Sequence, residues 1–383
     1  MMSCGEASGD LYAGALVREL RARDPHVRIS GLGGLRFADA GGELVAGYRD
    51  LSVTGLTEAI GKLPQSRTTL RRLVESAQAT RPDVLVAIDF PDFNFRLARR
   101  FKRLRIPVVY YVSPQIWAWR PWRVKTMREI ADLVLVIFPF EESIYRQAGV
   151  PVRFVGHPLV DLIKPVDKGA FLARHGLSAV LPTVAILPGS RPNEVARTLP
   201  DLARAAAQIR ARVAGTQFVV ARAPDLDDRL FDPVRRSESG AFTVVEGETD
   251  ATLSAADVAL TASGTATVQA ALHDTPMVIV YRVSPLTYYL GRWLVTVDTF
   301  GMVNLIAEEK IVPEFIQDAF TPESVADEAV SMLTDPARRM RIREGLARVR
   351  QRLGGPGASR RAAEAILEVV RQRGAPPRPT GPT

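Results

Sequence analysis

The sequence contains very little cysteine and no long apolar segment. Its single cysteine, Cys4, excludes a disulfide bond within the chain, and no residues have the spacing of zinc ligands. No run approaches the ~20 consecutive apolar residues of a membrane-spanning helix. The opening residues, MMSCGEASGD, carry neither the basic nor the apolar region of a signal peptide. We therefore expect a cytoplasmic protein without a metal site.

Lysine is also scarce, although the chain as a whole is basic. Only six of its 50 basic residues are lysines, and the net charge is +8. This charge favours an anionic partner such as nucleic acid, an acidic membrane surface or a phosphorylated ligand. The sequence has no helix-turn-helix, zinc-finger or RNA-binding motif, so we expect no nucleic-acid partner.

Short β-rich apolar runs alternate with amphipathic stretches along the chain. Such alternation is typical of parallel sheets built from βαβ units, and it predicts an α/β protein with two doubly wound domains that face each other across a cleft. The predicted strands are Val27–Gly31, Val84–Ile88, Pro107–Val112, Leu133–Ile137, Val152–Val155, Thr183–Leu187, Gln217–Ala221, Phe242–Glu246, Asp257–Thr261 and Met277–Tyr281. The predicted helices include Leu56–Thr80, Phe93–Arg105, Asn193–Val213, Thr265–His273 and Thr287–Leu294.

A polar stretch with a proline, LIKPVDK at Leu162–Lys168, marks the predicted domain boundary. We expect Rossmann-like domains over 1–164 and 165–350, followed by a C-terminal helix over 351–373. The Pro/Gly-rich residues 374–383 are expected to be disordered.

Ligands of doubly wound sheets bind at the carboxyl ends of the strands. The segment VLVAIDFPDFNF runs from a buried strand into Asp89 and Asp92. Asp89, nearer the sheet, is expected to support the site. Asp92 is either the N-cap of the next helix or a carboxylate that takes a proton from a bound hydroxyl.

Another strand-end turn, GEASGD, leads into a helix. Glu6, Ser8 and Asp10 could hold an anion or a sugar hydroxyl there, or could simply cap the turn. Only Met1–Cys4 remain to form the strand before it, so we expect either that this strand is short or that the given sequence starts too late.

Two turns of the second domain suit phosphate groups. The segment LPGSR offers backbone N–H groups and a guanidinium through Ser190 and Arg191. The segment ASGTATVQAA places Ser263, Gly264 and Thr265 at a helix start, with Gln269 one turn later. Neither is a Walker loop, and no GxGxxG motif occurs. Capped turns without a ligand remain the alternative for both segments.

Two stretches, 113–125 and 285–297, mix aromatic with basic residues. Such residues either pack in a core or lie at a membrane interface, where Trp, Tyr and Arg are common. The first stretch contributes the candidate contacts with an amphiphile or a membrane: Trp117, Trp119, Arg120, Trp122 and Arg123.

Taken together, these segments closely resemble the lipid-A-disaccharide synthase family, glycosyltransferases of the GT-B fold. The matching segments occur in the family's order and cover nearly the whole chain. They are GEASGD (5–10), SVTGLTEAIGKL (52–63), IDFPDFN (88–94), YVSPQIWAWR (111–120), RFVGHPLVD (153–161), LPGSR (187–191), ASGTATVQAAL (262–272), MVIVYR (277–282) and VNLIAEEKIVPE (303–314).

The resemblance implies an enzyme that joins UDP-2,3-diacylglucosamine to 2,3-diacylglucosamine 1-phosphate, giving a β-1,6-linked disaccharide 1-phosphate and UDP. It implies no cofactor, a peripheral position on the cytoplasmic face of the inner membrane, and an anionic membrane surface as a partner. The oligomeric state stays open.

The resemblance also implies roles for single residues. Asp92 would be the general base, and Glu6 and Asp10 would orient sugar hydroxyls. The UDP group would be bound by Ser190, Arg191, Ser263, Gly264, Thr265, Gln269 and Asn304. The chain departs from the family where Gln269 replaces an acid that usually stands one turn into the SGT helix.

Two other classes of function stay open on the sequence. One is a different UDP-sugar enzyme of the same fold, such as a UDP-N-acetylglucosamine epimerase or a peptidoglycan glycosyltransferase. The other is a non-catalytic protein that binds a UDP-sugar or a lipid, which the change at Gln269 keeps in view.

Overall fold

A computed structural model describes residues 1–49, 51, 63–114, 123–163, 166–224, 226–236, 242–282 and 301–374. Its contacts divide the chain into two units. The second unit is the continuous segment Ile163–Arg352, and the first is formed by the residues before and after that segment. Among the described helices, none combines the length and the apolar character needed to cross a membrane.

In the part of the first unit that the structure describes, seven parallel strands form one sheet. These are β1 (Met2–Cys4), β2 (Ser30–Gly33), β3 (Glu43–Gly47), β4 (Leu85–Ile88), β5 (Val108–Tyr111), β6 (Leu133–Val136) and β7 (Val152–Phe154). Their spatial order is β3-β2-β1-β4-β5-β6-β7, and every residue of β4 and β5 is buried. Continuous apolar strands of this kind are typical of a sheet covered by helices on both faces.

Helices connect the strands of the first unit. They are α1 (Ala7–Arg23), α2 (Leu35–Asp39), α3 (Leu63–Thr80), α4 (Pro91–Arg103), α5 (Arg123–Ile130), α6 (Pro139–Gln147) and α7 (Leu159–Leu162). In α4 the buried residues Phe93, Leu97 and Phe101 recur every fourth position, so they form the apolar stripe that packs on the sheet.

Strand β1 has only three residues, yet it lies between β2 and β4. The amino group of Met1 donates a hydrogen bond to the carbonyl of Val84 at 2.8 Å. Burial lowers the pKa of this amine to about 5. Strand β1 thus occupies a central position in the sheet although it has only three residues.

The described residues of the second unit form six parallel strands. They are β8 (Thr183–Leu187), β9 (Gln217–Arg222), β10 (Phe242–Glu246), β11 (Val258–Ala262), β12 (Met277–Tyr281) and β13 (Glu314–Ile316), in the spatial order β10-β9-β8-β11-β12-β13. Its α-helices are α8 (Lys168–Arg174), α9 (Pro192–Arg212), α10 (Asp232–Arg235), α11 (Thr249–Ala255), α12 (Thr265–Leu272), α13 (Met302–Ala307), α14 (Pro322–Thr334) and α15 (Pro336–Arg352).

The last described helix, α16 (Ala358–Gly374), belongs to the first unit and packs on α1. The carboxylate of Asp161 accepts hydrogen bonds from the backbone N–H groups of Gly357 (2.5 Å) and Ser359 (2.9 Å) at its start. The ion pair Arg153–Glu368, at 2.8 Å, lies further along the helix. This helix therefore returns to residues that precede the second unit in the chain.

The predicted elements agree with the structure except at a few places. Strands β3 and β13 were not predicted, and β2 begins three residues after the predicted start at Val27. Helix α3 begins at Leu63, whereas the prediction began at Leu56, in the part of the chain that is not described. The predicted helix 287–294 also lies outside the described residues.

Both sheets have a point where the strand order reverses. In the first unit it falls between β1 and β4, and in the second between β8 and β11. Ligands of doubly wound folds bind at such points, beside the carboxyl ends of the two strands. The four turns singled out in the sequence follow these four strands, so each unit has two of them side by side.

Candidate active site

The turn between β4 and α4 has an unusual backbone. Asp89 (φ 44°) and Phe90 (φ 50°) both adopt left-handed angles, which strain a non-glycine residue by roughly 1 kcal/mol or more. The carbonyl of Asp89 accepts hydrogen bonds from Asn94 Nδ2 (2.8 Å) and the Tyr110 hydroxyl (2.7 Å). Burial raises the pKa of Tyr110 well above its usual value, so this hydroxyl remains a donor. These contacts hold the turn in one conformation.

Asn94 connects this turn to the neighbouring strand β1. The Ser3 hydroxyl donates to Asn94 Oδ1 at 2.6 Å, and Asn94 Nδ2 also reaches the carbonyls of Ile88 (3.2 Å) and Ser3 (3.3 Å). Ser3 and Asn94 are completely buried. Apart from their places near two strand ends, nothing in the sequence pattern predicts that these residues position the turn.

Asp92 lies in the first turn of α4, directly after Pro91. The N-cap of α4 is Phe90, so the alternative that Asp92 caps the helix is wrong. The Asp92 side chain is 75% exposed, and its Oδ1 forms a 2.8 Å ion pair with Arg123. A carboxylate with this exposure is accessible to a substrate, as a general base must be.

Arg123 was predicted to contact acyl chains or the membrane, and this role stays a prediction. Its guanidinium lies 5.4 Å from the centre of the Phe95 ring and pairs with Asp92, so only 20% of the side chain is exposed. Stacking on an aromatic ring fixes the plane of the guanidinium. The other predicted contacts of this group lie outside the described residues: Trp117, Trp119, Arg120 and Trp122.

The GEASGD turn follows β1. Glu6 is the N-cap residue of α1, with an extended backbone, and Ser8 lies in the first turn. Both side chains are half-buried. Their predicted contacts with a sugar stay predictions.

Asp10, in contrast, has a clear structural role. Its Oδ1 accepts hydrogen bonds from the backbone N–H groups of Gly34 (2.7 Å) and Phe37 (3.1 Å), and its Oδ2 accepts one from Arg36 (3.0 Å). The side chain is only 3% exposed. Asp10 was predicted to orient a sugar hydroxyl; instead it caps the first turn of α2, because three backbone donors surround its carboxylate.

In the second unit, two hydrogen-bond donors of the turn after β8 contact the carboxylate of Glu194. The backbone N–H of Ser190 donates to Glu194 Oε2 at 3.1 Å, and Arg191 lies 3.2 Å from Oε1 of the same carboxylate. A Cβ on Gly189, where φ is 130°, would lie 2.6 Å from the Cβ of Glu194, so only glycine fits. Glu194, which was not predicted as a site residue, thus contacts the donors that were predicted to bind phosphate.

The turn after β11 leads into α12, and Ser263, Gly264 and Thr265 at this start are half-buried. The Ser263 N–H donates to the carbonyl of Val280 at 3.0 Å, which fixes the turn to β12. Gly264 is the N-cap residue and has φ 149°, and a Cβ there would meet no described atom within 4 Å. The first N–H groups of a helix, including that of Thr265, lack partners within the helix and suit an anion.

Gln269 lies half-buried one turn into α12. Its side-chain Nε2 donates to Asp250 Oδ1, in α11, at 3.1 Å. The structure thus places a carboxylate from another helix beside the position where the sequence has an amide.

Asn304 was predicted to bind UDP, and the structure gives it a different set of partners. Its Oδ1 accepts from the N–H groups of Ile311 (2.9 Å) and Val312 (3.0 Å). Its Nδ2 donates to the carbonyl of Val312 (2.9 Å) and to Glu314 Oε1 (2.5 Å). The side chain is 1% exposed. Because these bonds use both donors and both acceptor positions, Asn304 fixes the segment before β13 rather than a ligand.

The fold defines the class of protein to which the chain is similar. A crystal structure of the glycosyltransferase of kitacinnamycin matches with a TM-score of 0.65 at 17% identity, covering 96% of this chain and 98% of that one. A UDP-GlcNAc 2-epimerase from Neisseria meningitidis bound to UDP-GlcNAc matches with a TM-score of 0.68 at 12% identity, covering 96% and 99%. The two parallel-sheet units therefore form a GT-B fold, as predicted.

Sequence comparison places the chain within that class. Residues 1–369 match the model of the family described as lipid-A-disaccharide synthetase. The lipid-A-disaccharide synthase of Myxococcus xanthus is 44% identical over 97% of both chains, and that of Syntrophus aciditrophicus is 42% identical over 97% of this chain and 98% of its own. The chain belongs to the lipid-A-disaccharide synthetase family.

Proposed function

We propose that the protein is a glycosyltransferase of lipid A biosynthesis that joins UDP-2,3-diacylglucosamine to 2,3-diacylglucosamine 1-phosphate. The products would be the β-1,6-linked disaccharide 1-phosphate and UDP. The family match over residues 1–369 carries this proposal. It is supported by the position of the four motif turns at the two points where strand order reverses.

The chemistry requires a base. The donor sugar is α-linked to UDP and the product is β-linked, so the acceptor 6-hydroxyl attacks the anomeric carbon directly, opposite the leaving UDP, through an oxocarbenium-like transition state. We assign Asp92 as the group that takes the hydroxyl proton, because its carboxylate is exposed at a strand end. Asp89 supports it through the turn, and Arg123 orients its carboxylate.

The leaving UDP gains negative charge as the bond to the sugar breaks. Arg191, the Ser190 N–H and the start of α12 at Ser263–Thr265 are the donors that we assign to its diphosphate. The contact of two of these donors with the carboxylate of Glu194 supports the assignment, because both are directed at a negatively charged group. Bound UDP would either displace that carboxylate from the donors or share the donors with it.

We further propose that the protein acts as a peripheral protein on the cytoplasmic face of the inner membrane. Both substrates carry acyl chains and would lie in that membrane. The net charge of +8 supports an anionic lipid surface as a partner.

Turnover by the purified protein tests the proposal. We would mix both substrates in detergent and detect UDP and the disaccharide by mass spectrometry. We expect Asp92→Ala and Asp92→Asn to lose at least two to four orders of magnitude in kcat, because general base catalysis contributes about that much. Their affinity for UDP should not change.

Glu75→Ala is the matched control, because Glu75 is an exposed acid in an ion pair of the same unit, 3.1 Å from Arg71. It should turn over like the unaltered protein.

Product formed equally by the Asp92 variants would refute Asp92 as the base. UDP-N-acetylglucosamine epimerised, or joined to a peptidoglycan precursor, would identify another UDP-sugar enzyme. UDP binding without any product would identify a binding protein.

A further inference from the structure

Helix α4 carries a row of arginines that begins one turn after Asp92. Arg96, Arg99 and Arg103 follow Asp92 by four, seven and eleven positions, and all four residues are exposed. Residues with this spacing lie on one side of an α-helix. The proposed base therefore lies at one end of a line of guanidinium groups.

These arginines have no acidic partner in the part of the chain that the structure describes. The ion pairs that α4 forms there are Asp92–Arg123 and Lys102–Asp132, each at 2.8 Å. Asp92 is thus paired with an arginine of α5, although Arg96 occupies the i+4 position at which an ion pair within a helix usually forms. The charge of Arg96 is therefore available to an anion from outside the chain.

The stability of the helix explains the later basic residues of α4 but not the first two. Arg100, Lys102 and Arg103 lie in its last turn, where positive charge offsets the negative end of the helix dipole. Arg96 lies in the second turn, where it gains nothing from the dipole. Arg99 follows Arg96 at the i+3 position, so the two like charges repel each other. Their positions thus require an explanation other than helix stability.

We propose that Arg96 and Arg99 bind the 1-phosphate of the acceptor and so place its 6-hydroxyl at Asp92. This inference rests on the proposed function, since it needs Asp92 as the base and a phosphorylated acceptor. The 6-hydroxyl and the 1-phosphate leave the sugar on either side of its ring oxygen, about one helical turn apart. One turn of α4 likewise separates Asp92 from Arg96.

A terminal phosphate suits two neighbouring arginines. It carries a charge of about −1.5 to −2 at pH 7 and has three oxygens that accept hydrogen bonds. A guanidinium can donate two parallel hydrogen bonds to such a group, and the bound anion would offset the repulsion between Arg96 and Arg99. The UDP-sugar carries the same acylated sugar but no terminal phosphate. The site would therefore distinguish the acceptor from the donor.

Acceptors with and without the phosphate test this proposal. We would measure kcat/KM in nonionic detergent for the full-length protein and for Arg96→Gln, using the acceptor and the same lipid without its 1-phosphate. Where the second lipid gives no product, its inhibition constant against the acceptor is measured instead. We expect Arg96→Gln to lower kcat/KM for the acceptor about tenfold to hundredfold, as for a lost hydrogen bond to a charged group. The constants for the lipid without phosphate, and the Kd of UDP, should stay unchanged.

Conservative variants provide the second arm. Arg96→Lys keeps the charge without the paired donors, so it should recover part of the kcat/KM that Arg96→Gln loses. Arg99→Gln should show the same selectivity for the phosphorylated lipid with a smaller loss, because Arg99 lies further from Asp92 along the helix. Thermal unfolding of both glutamine variants should occur no earlier than in the unaltered protein, since a repulsion has been removed. A lysine variant no better than the glutamine variant would contradict the proposal.

Arg103→Gln is the matched control, because it removes the same charge from the same side of α4, about 16 Å from Asp92 along the helix. Its kcat/KM for the acceptor should equal that of the unaltered protein. Equal losses in Arg96→Gln and Arg103→Gln, or equal losses in Arg96→Gln with both lipids, would overturn the inference and leave the proposed function intact. If the unaltered protein formed no product, the proposed function would fail as well.

Discussion

Asp89 and Asp92 lie three residues apart in the sequence, and they have different roles in the structure. The backbone carbonyl of Asp89 is held by Asn94 and Tyr110, and its left-handed angle turns the chain toward α4. Asp92 follows in the first turn of that helix with its side chain in solvent. The buried network thus positions the strained turn, and the turn presents the proposed base.

His157 is a residue whose burial makes stability depend on pH. It is 2% exposed and packs between Tyr12 and Phe138, with ring centres 6.0 and 5.4 Å away. Burial lowers its pKa to about 3 from a usual value near 6.5. The unfolded chain therefore binds a proton below pH 6.5 that the folded chain rejects, so stability falls as the pH falls from 6.5 toward 3.

We expect His157→Asn to reduce this pH dependence. The unaltered protein should lose about 2 kcal/mol more free energy of unfolding than the variant between pH 7 and pH 5. Urea denaturation of both proteins at the two pH values measures the difference. The buried amine of Met1 contributes equally to both proteins and cancels. Parallel losses in the two proteins would contradict the expectation.

At the scale of single residues, the sequence predicted which residues follow the strand ends better than it predicted their hydrogen-bond partners. It placed Asp92, Arg191 and Gly264 at helix starts, where they lie. The roles predicted for Asp10 and Asn304 were wrong, because their hydrogen-bond partners come from separate segments of the chain, residues 34–37 and 311–314. No local pattern reports which distant backbone donors a buried side chain will meet.

At the scale of elements, the residue directly after β1 lies in close contact with the turn between β4 and α4. A Cβ on Gly5 would lie 2.1 Å from the ring of Phe90, so glycine is required where the two strand ends approach. Phe90 also stacks on Phe93, with ring centres 5.5 Å apart. The position of the α4 start, and with it Asp92, thus depends on the absence of a side chain at Gly5.

We expect Gly5→Ala to move that helix start. Overpacking should cost about 1–3 kcal/mol of stability and lower kcat, while the affinity for UDP, assigned to the second unit, stays the same. Thermal unfolding, turnover and calorimetry measure the three effects. Gly47→Ala is the control, since a Cβ there meets no described atom within 4 Å. An unchanged kcat in Gly5→Ala would show that the contact does not position Asp92.

The two strands that were not predicted from the sequence bury little apolar surface. Strand β3 is a sheet edge with no fully buried residue, so ELVAG lacks the continuous apolar run that revealed β4 and β11. Strand β13 has three half-buried residues and also lies at an edge. Edge strands are stabilised by pairing with a neighbouring strand. The periodicity of the local sequence does not predict this pairing.

At the scale of the whole molecule, the excess of basic residues leads to a prediction about lipid surfaces. With a net charge of +8, the protein should sediment with vesicles that contain anionic phospholipid and less with purely zwitterionic vesicles. High salt should weaken the binding, because it screens exposed charges over about 10 Å or less. Equal binding to both kinds of vesicle at low salt would contradict an electrostatic attachment.

The return of α16 to the first unit has a consequence for synthesis on the ribosome. Residues 163–352 form the second unit without interruption and can fold once they have emerged. The first unit emerges earlier but must wait for α16, which covers α1. At the usual rate of translation the intervening roughly 190 residues take about 10–40 s. Through that interval the nascent chain carries an uncovered helix face, so the segment made first finishes folding last.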